Sequence, residues 1–76
     1  MLIQVLGTGC AKCNELEKLV KEVVAEKGVD AVVEKVTDLQ QIAMLGVFTT
    51  PGLVIDGVIK AAGGMPSKKD LTAWVS

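Results

Sequence analysis

Two cysteines three positions apart are the residues best suited to chemistry in this chain: Cys10 and Cys13, within Gly7-Thr8-Gly9-Cys10-Ala11-Lys12-Cys13. A thiol reacts as the thiolate, so its surroundings must stabilise negative charge. The start of a helix does so, because its first amide N–H groups lack intrahelical partners and the macrodipole presents partial positive charge there. Cys10 falls where an apolar strand-like run gives way to a helical pattern. Cys13 follows at i+3, on the same helical face and close enough for the two sulfurs to bond within one turn. With no histidine in the chain, thiolate formation must rest on the helix terminus, exposed amides and the neighbouring charge of Lys12. Lys12 also has a plainer reading, as a solvated helix residue.

The pair admits three chemistries: a switchable dithiol, a soft-metal clamp and an inert buried couple. With no histidine and no third cysteine, a closed four-ligand zinc site would need carboxylates. A two-coordinate Cu(I) held by both thiolates stays open. The redox reading is preferred, and it requires no cofactor or metal.

The elements that must position the pair follow from hydrophobic period and turn chemistry. A short apolar run from Leu2 to Leu6 reads as a strand buried on both faces (β1), after which Gly7 and Gly9 loosen the backbone. From Cys10 to Lys27 the period becomes helical (α1): Cys13, Leu16, Leu19, Val20, Val23, Val24 and Lys27 share one side, and Asn14, Glu15, Lys18, Lys21 and Glu22 the other. Glu17 and Lys21 form an i, i+4 pair. Gly28 stops the helix, with Val29 placed for the accompanying apolar contact. Ala31 to Val36 is a second strand (β2), parallel to the first through a right-handed crossover. Thr37 or Asp38 caps a two-turn helix from Leu39 to Leu45 (α2), ended by Gly46.

Leu53-Val54-Ile55 (β3) and Val58 to Ala62 (β4) flank Asp56-Gly57. That dipeptide is the strongest short-range hairpin signal, since a type I′ turn needs positive φ at both central residues. Gly63-Gly64-Met65-Pro66 breaks β4. Ser67, with Asp70 three residues later, caps a last helix to about Val75 (α3), with Leu71 and Trp74 facing inward. The expected order is β1-α1-β2-α2-β3-β4-α3, an α/β arrangement with a four-stranded mixed sheet and helices on both faces.

Composition narrows the function classes. Seventy-six residues make one domain, residues 1–76, near the size at which a single core is only just sufficient. With one Phe, one Trp and no Tyr, the core must be built from Val, Leu, Ile and Ala. Eight basic and nine acidic residues are interspersed, which argues against a nucleic-acid or anionic-membrane surface. The apolar start lacks a basic flank and reads as strand rather than signal peptide. The uncharged stretch from Leu39 to Ile55 is broken by Gln40, Gln41, Thr49, Thr50, Pro51 and Gly52, so it is not a membrane span. A single CxxC is not the disulfide framework of a secreted mini-protein. A cytoplasmic protein, monomeric or weakly dimeric, is expected.

Taken together, Gly7 to Cys13 after the first strand, Thr50-Pro51-Gly52 before the hairpin, Asp56-Gly57 within it and Gly63-Gly64 before the last helix resemble the small thioredoxin-like or glutaredoxin-like redox-active disulfide proteins of archaea and bacteria, over essentially the whole chain. The resemblance implies a minimal thioredoxin-like fold and a thiol-disulfide oxidoreductase. It implies Cys10 as nucleophile, Cys13 as resolving thiol, and Pro51 as a cis-proline facing the disulfide. Thr50 would pair its backbone with an extended substrate, and Gly9, Lys12, Gly63 and Gly64 would contribute to substrate binding. The partners implied are a disulfide-containing protein or small molecule and an unidentified reductase.

The chain departs from both larger groups. It has Gly9 and Ala11-Lys12 where thioredoxins carry Trp-Cys-Gly-Pro-Cys, and no acidic residue in the first strand. It lacks the Cys-Pro-Tyr-Cys of glutaredoxins, and Asp70 stands six residues past Gly64. Two other classes use the same thiols. A copper-chaperone-like domain also carries CxxC between its first strand and helix, but usually with Met where this chain has Thr8, and in a β-α-β-β-α-β order. A redox-sensing interaction module would differ only in not being recycled. Gly63-Gly64 has the plainer reading of a strand terminator, and Met44 and Met65 that of packing residues.

Overall fold

The computed structural model describes residues 1–9 and 11–75. Its elements are β1 (Leu2–Leu6), α1 (Ala11–Lys27), β2 (Val32–Val36), α2 (Leu39–Met44), β3 (Gly52–Ile55), β4 (Val58–Ala62) and α3 (Lys68–Val75). The strands form one sheet in the order β2-β1-β3-β4. β1 pairs parallel with β2, Leu6 against Val36, and antiparallel with β3, Leu6 against Gly52. This is the expected thioredoxin-like α/β order. The hairpin follows α2, so the copper-chaperone order is not that of this chain.

Strand side chains alternate between the two faces, and the core divides accordingly. Ile3 and Val5 of β1 and Leu53 and Ile55 of β3 pack with Leu16, Val20 and Val23 of α1 and Leu71 and Val75 of α3. Leu6, Val36 and Val54 point to the other face and close on Ile42 of α2 and on Val47. Trp74, half-buried, packs against the first cluster as expected.

Two burial expectations are corrected. Lys27, placed on the inner stripe of α1 by periodicity, is exposed. It lies in the last turn, where its charge complements the helix dipole. β1 is not buried on both faces throughout: Leu2 is exposed and Gln4 half-buried. The six-residue α2 is too short to cover that end of the sheet.

Caps and turns carry the local specification. Asp38, rather than Thr37, caps α2, its carboxylate accepting from the Gln40 N–H at 2.9 Å. Ser67 Oγ accepts from the Asp70 N–H at 3.1 Å at the start of α3. The hairpin turn has φ of 49° at Asp56 and 83° at Gly57, as a type I′ turn requires. Asp56 also reaches across to β1: its N–H donates to Leu2 O at 2.8 Å, and its Oδ1 accepts from the Leu2 N–H at 2.7 Å. The β3–β4 register shifts between Leu53 and Val54, which pair with Ala61 and Ile59 and leave Lys60 as the extra residue of a bulge.

Outside the core, Lys68 Nζ of α3 lies 3.0 Å from Glu26 and 3.4 Å from Glu22 of α1. Hydrogen bonds to Glu26 and then Glu22 raise its pKa, but the pairs lie at the surface and are screened by salt. Among the described residues no helix is long and apolar enough to cross a membrane.

Candidate active site

Sheet topology decides which loops meet. The C-terminal ends of β1 and β2, the N-terminal end of β3 and the C-terminal end of β4 share one edge, since Leu6 pairs with Val36 and Gly52, and Gly52 with Ala62. Residues 7–9, the first turn of α1, the loop of residues 47–51 and the loop of residues 63–66 therefore gather at that edge. Among the described residues, these segments contain every site residue expected from the sequence.

Cys10 lies outside the described residues. Cys13 sits in the first turn of α1 with no exposed surface. It heads the stripe continued by Leu16, Val20 and Val23, and it is disulfide-bonded. Behind it is Gly7, also buried, whose N–H donates to Val36 O at 2.9 Å. A Cβ built on Gly7 would lie 2.6 Å from Cys13 Cβ and closer still to its Sγ. Gly7 was expected to loosen the backbone; instead it is a packing glycine, and its bare Cα is what lets the strand end approach the cysteine.

Gly9 does match the expectation of a freed backbone, with φ of 90° and open space where a side chain would stand. Lys12 is exposed. The Thr50–Pro51 peptide bond is cis; Thr50 is half-buried and Pro51 buried. Pro51 O accepts from the Gly63 N–H at 2.9 Å, which ties the loop before β3 to the loop after β4. Gly63 has φ of 82°, and a Cβ there would stand 2.5 Å from Thr49 Oγ1. Gly64 is exposed and lines a hollow of about 300 Å³ with Ala62, Met65, Pro66 and Trp74; Cys13, Thr50 and Pro51 do not line it.

Sequence reasoning missed Gly7 as a neighbour of Cys13 and Thr49 as the partner of Gly63. Only the first carried a signal: a glycine directly after an apolar strand often marks close approach. Phe48, beside Thr49, is 84% exposed, although an isolated aromatic would ordinarily be assigned to the core. Among the described residues no group of three or more His, Cys, Asp or Glu could hold a metal ion.

The Gly63 contact has a checkable consequence. Alanine there must adopt a left-handed backbone and push on Thr49. Gly63→Ala is expected to lower stability by about 1–3 kcal/mol and to slow disulfide exchange by displacing Thr50. Urea unfolding and insulin-disulfide reduction measure the two effects; unchanged stability would show that Thr49 yields freely.

Comparisons with known proteins agree with this geometry. A family model described as a thioredoxin domain matches residues 1–76. A thioredoxin of Methanothermobacter thermautotrophicus is 45% identical over 76 residues, covering 100% of this chain and 99% of that protein. A thioredoxin of Methanocaldococcus jannaschii is 45% identical over 71 residues, covering 93% of this chain and 81% of that protein. With the fold, the full-length family match and these two relatives in agreement, the chain belongs to the thioredoxin family, as a small thioredoxin-like protein of the archaeal type.

Proposed function

We propose that Cys10 and Cys13 form the dithiol through which this thioredoxin-family disulfide reductase exchanges electrons with its substrates. The Cys10 thiolate attacks one sulfur of a substrate disulfide, and the other substrate sulfur leaves as a thiolate. Cys13 then attacks the Cys10 sulfur of the mixed disulfide, releasing the second substrate thiol and leaving the two cysteines bonded to each other. The substrate gains two electrons and two protons, and the pair loses them; a reductase that delivers dithiol or hydride equivalents restores the starting form.

The observation that carries this reading is the state and place of Cys13: disulfide-bonded, fully buried, in the first helical turn. A buried sulfur is shielded from bulky substrates yet available to a neighbour in its own turn, which suits the resolving role. Thr50 would offer extended backbone groups to the substrate beside Pro51. Gly9 and Gly63 would let it approach without side chains in the way, and Lys12 and Gly64 would border the approach. Protein disulfides or small-molecule disulfides are both compatible substrates, in a compartment whose reductants keep the dithiol supplied.

The test is a redox titration of metal-free protein in dithiothreitol buffers, with free thiols trapped by alkylation and weighed by mass spectrometry. A reversible two-electron transition, with about two mass units lost on oxidation, is expected. Failure to form the disulfide, together with tight Cu(I) uptake, would overturn the assignment in favour of metal binding.

A further inference from the structure

Resting on that dithiol reading, we propose that Gly7 is a positioning residue that sets the reduction potential of the Cys10/Cys13 couple, because its bare Cα leaves room for the Cys13 sulfur as the disulfide holds it. Gly7 is not needed for backbone freedom, since its φ is not among the positive values of this chain. It is needed for space. A Cβ at this position would meet Cys13 Cβ at 2.6 Å, would come closer still to Sγ, and would lie 3.8 Å from Cys13 Cα.

Neither side can step back easily. Gly7 is buried and pinned to β2 through its N–H to Val36 O at 2.9 Å. Cys13 has no exposed surface and heads the helical stripe that Leu16, Val20 and Val23 anchor in the core. Packed interiors resist added volume, and one extra methyl group is felt.

The two redox forms respond differently. In the disulfide the S–S bond fixes the direction of Cys13 Sγ; in the dithiol the side chain is free to turn to another staggered rotamer. The approach to Cys13 Cβ is common to both forms, whereas the closer approach to Sγ is relieved only after reduction. A side chain at position 7 therefore raises the free energy of the disulfide more than that of the dithiol. For the balanced couple, in which the disulfide takes two electrons and two protons to give two thiols, this shifts the equilibrium toward reduction and makes the potential less negative.

The experiment titrates the parent protein, Gly7→Ala and Gly57→Ala side by side in dithiothreitol buffers, with unfolding of each measured by urea. Gly57 supplies a control for stability alone: it sits at the opposite end of β3, in a turn with φ of 83° and open space where a side chain would stand. The expected result is an equilibrium constant for reduction at least about tenfold larger in Gly7→Ala, some 30 mV less negative, while Gly57→Ala loses stability at unchanged potential. Gly7→Ala titrating within about twofold of the parent, or Gly57→Ala shifting as far, would overturn the proposal. A parent protein without any two-electron transition would instead sink the dithiol reading itself. Should Gly7→Ala fold in neither redox form, the proposal is overturned, because the approach to Cys13 Cβ that both forms share then outweighs the approach to Sγ.

Discussion

Serine at Cys10 is expected to eliminate disulfide exchange, whereas serine at Cys13 is expected to convert the protein into a trap that stays bonded to its substrate. The asymmetry follows from burial and chain position. Cys13 has no exposed surface and lies against the inner face of α1, so it is poorly placed to meet a substrate disulfide first. Without the Cys10 nucleophile, exchange is expected to fall by on the order of 10³-fold or more, the scale on which losing a covalent nucleophile acts. Without Cys13, the first attack proceeds but the mixed disulfide has no internal thiol to resolve it. Incubation of each variant with a small aromatic disulfide, followed by intact mass, distinguishes them: no adduct for Cys10→Ser, one stable adduct for Cys13→Ser. Full turnover by Cys13→Ser would reverse the roles. Neither substitution is expected to unfold the chain, because a bridge across so short a loop removes little entropy from the unfolded state.

Leu16→Ala is expected to produce the largest loss of stability of any single core truncation on α1, about 2–5 kcal/mol. Leu16 is fully buried one turn beyond Cys13, in the core cluster that joins β1 and β3 to α1 and α3. Domains of this size hold only roughly 0.05–0.15 kcal/mol per residue of net stability, so the substitution removes a large share of it. The midpoint of urea unfolding should fall with the slope unchanged. A loss under about 1 kcal/mol would mean that the core collapses into the space, contrary to the close packing of both sheet and helices around it. The consequence for activity is indirect: α1 is the element that carries Cys13, so exchange in this variant should fail at lower temperature than in the parent, in step with unfolding.

The parts of this molecule that were legible in its sequence are those governed by one local rule. Asp56-Gly57 announces its turn because few other dipeptides accept positive φ twice. The α1 stripe from Cys13 through Leu16, Val20 and Val23 announces its buried face because 3.6-residue periodicity survives any packing partner. Where two rules compete locally, the outcome depended on the tertiary structure: Thr37 and Asp38 each stand three residues before a glutamine, and only the folded chain shows the Asp38 carboxylate on the Gln40 N–H. Lys27 satisfied the stripe geometrically yet lies in the exposed last turn of α1. Leu2 satisfied the strand pattern yet is exposed, because which end of the sheet the short α2 covers is set by the tertiary structure.

At the site, the cysteine spacing was visible, whereas the cis Thr50–Pro51 bond was legible only through resemblance. The contact of Gly7 with Cys13 was signalled only by a glycine directly after an apolar strand, and that of Gly63 with Thr49 was not visible at all. Both join residues whose proximity is created by sheet order.

The position of β1 inside the sheet has a consequence for how the protein is made. Its ladder with β3 joins Ile3 to Ile55, partners separated by about fifty positions along the chain. A ribosome adding about 5–20 residues per second delivers the second strand of that ladder roughly 3–10 s after the first. Throughout that interval β1 and the nascent α1 lack the strand that buries them, so Cys13 reaches its enclosed position only after the hairpin has been made.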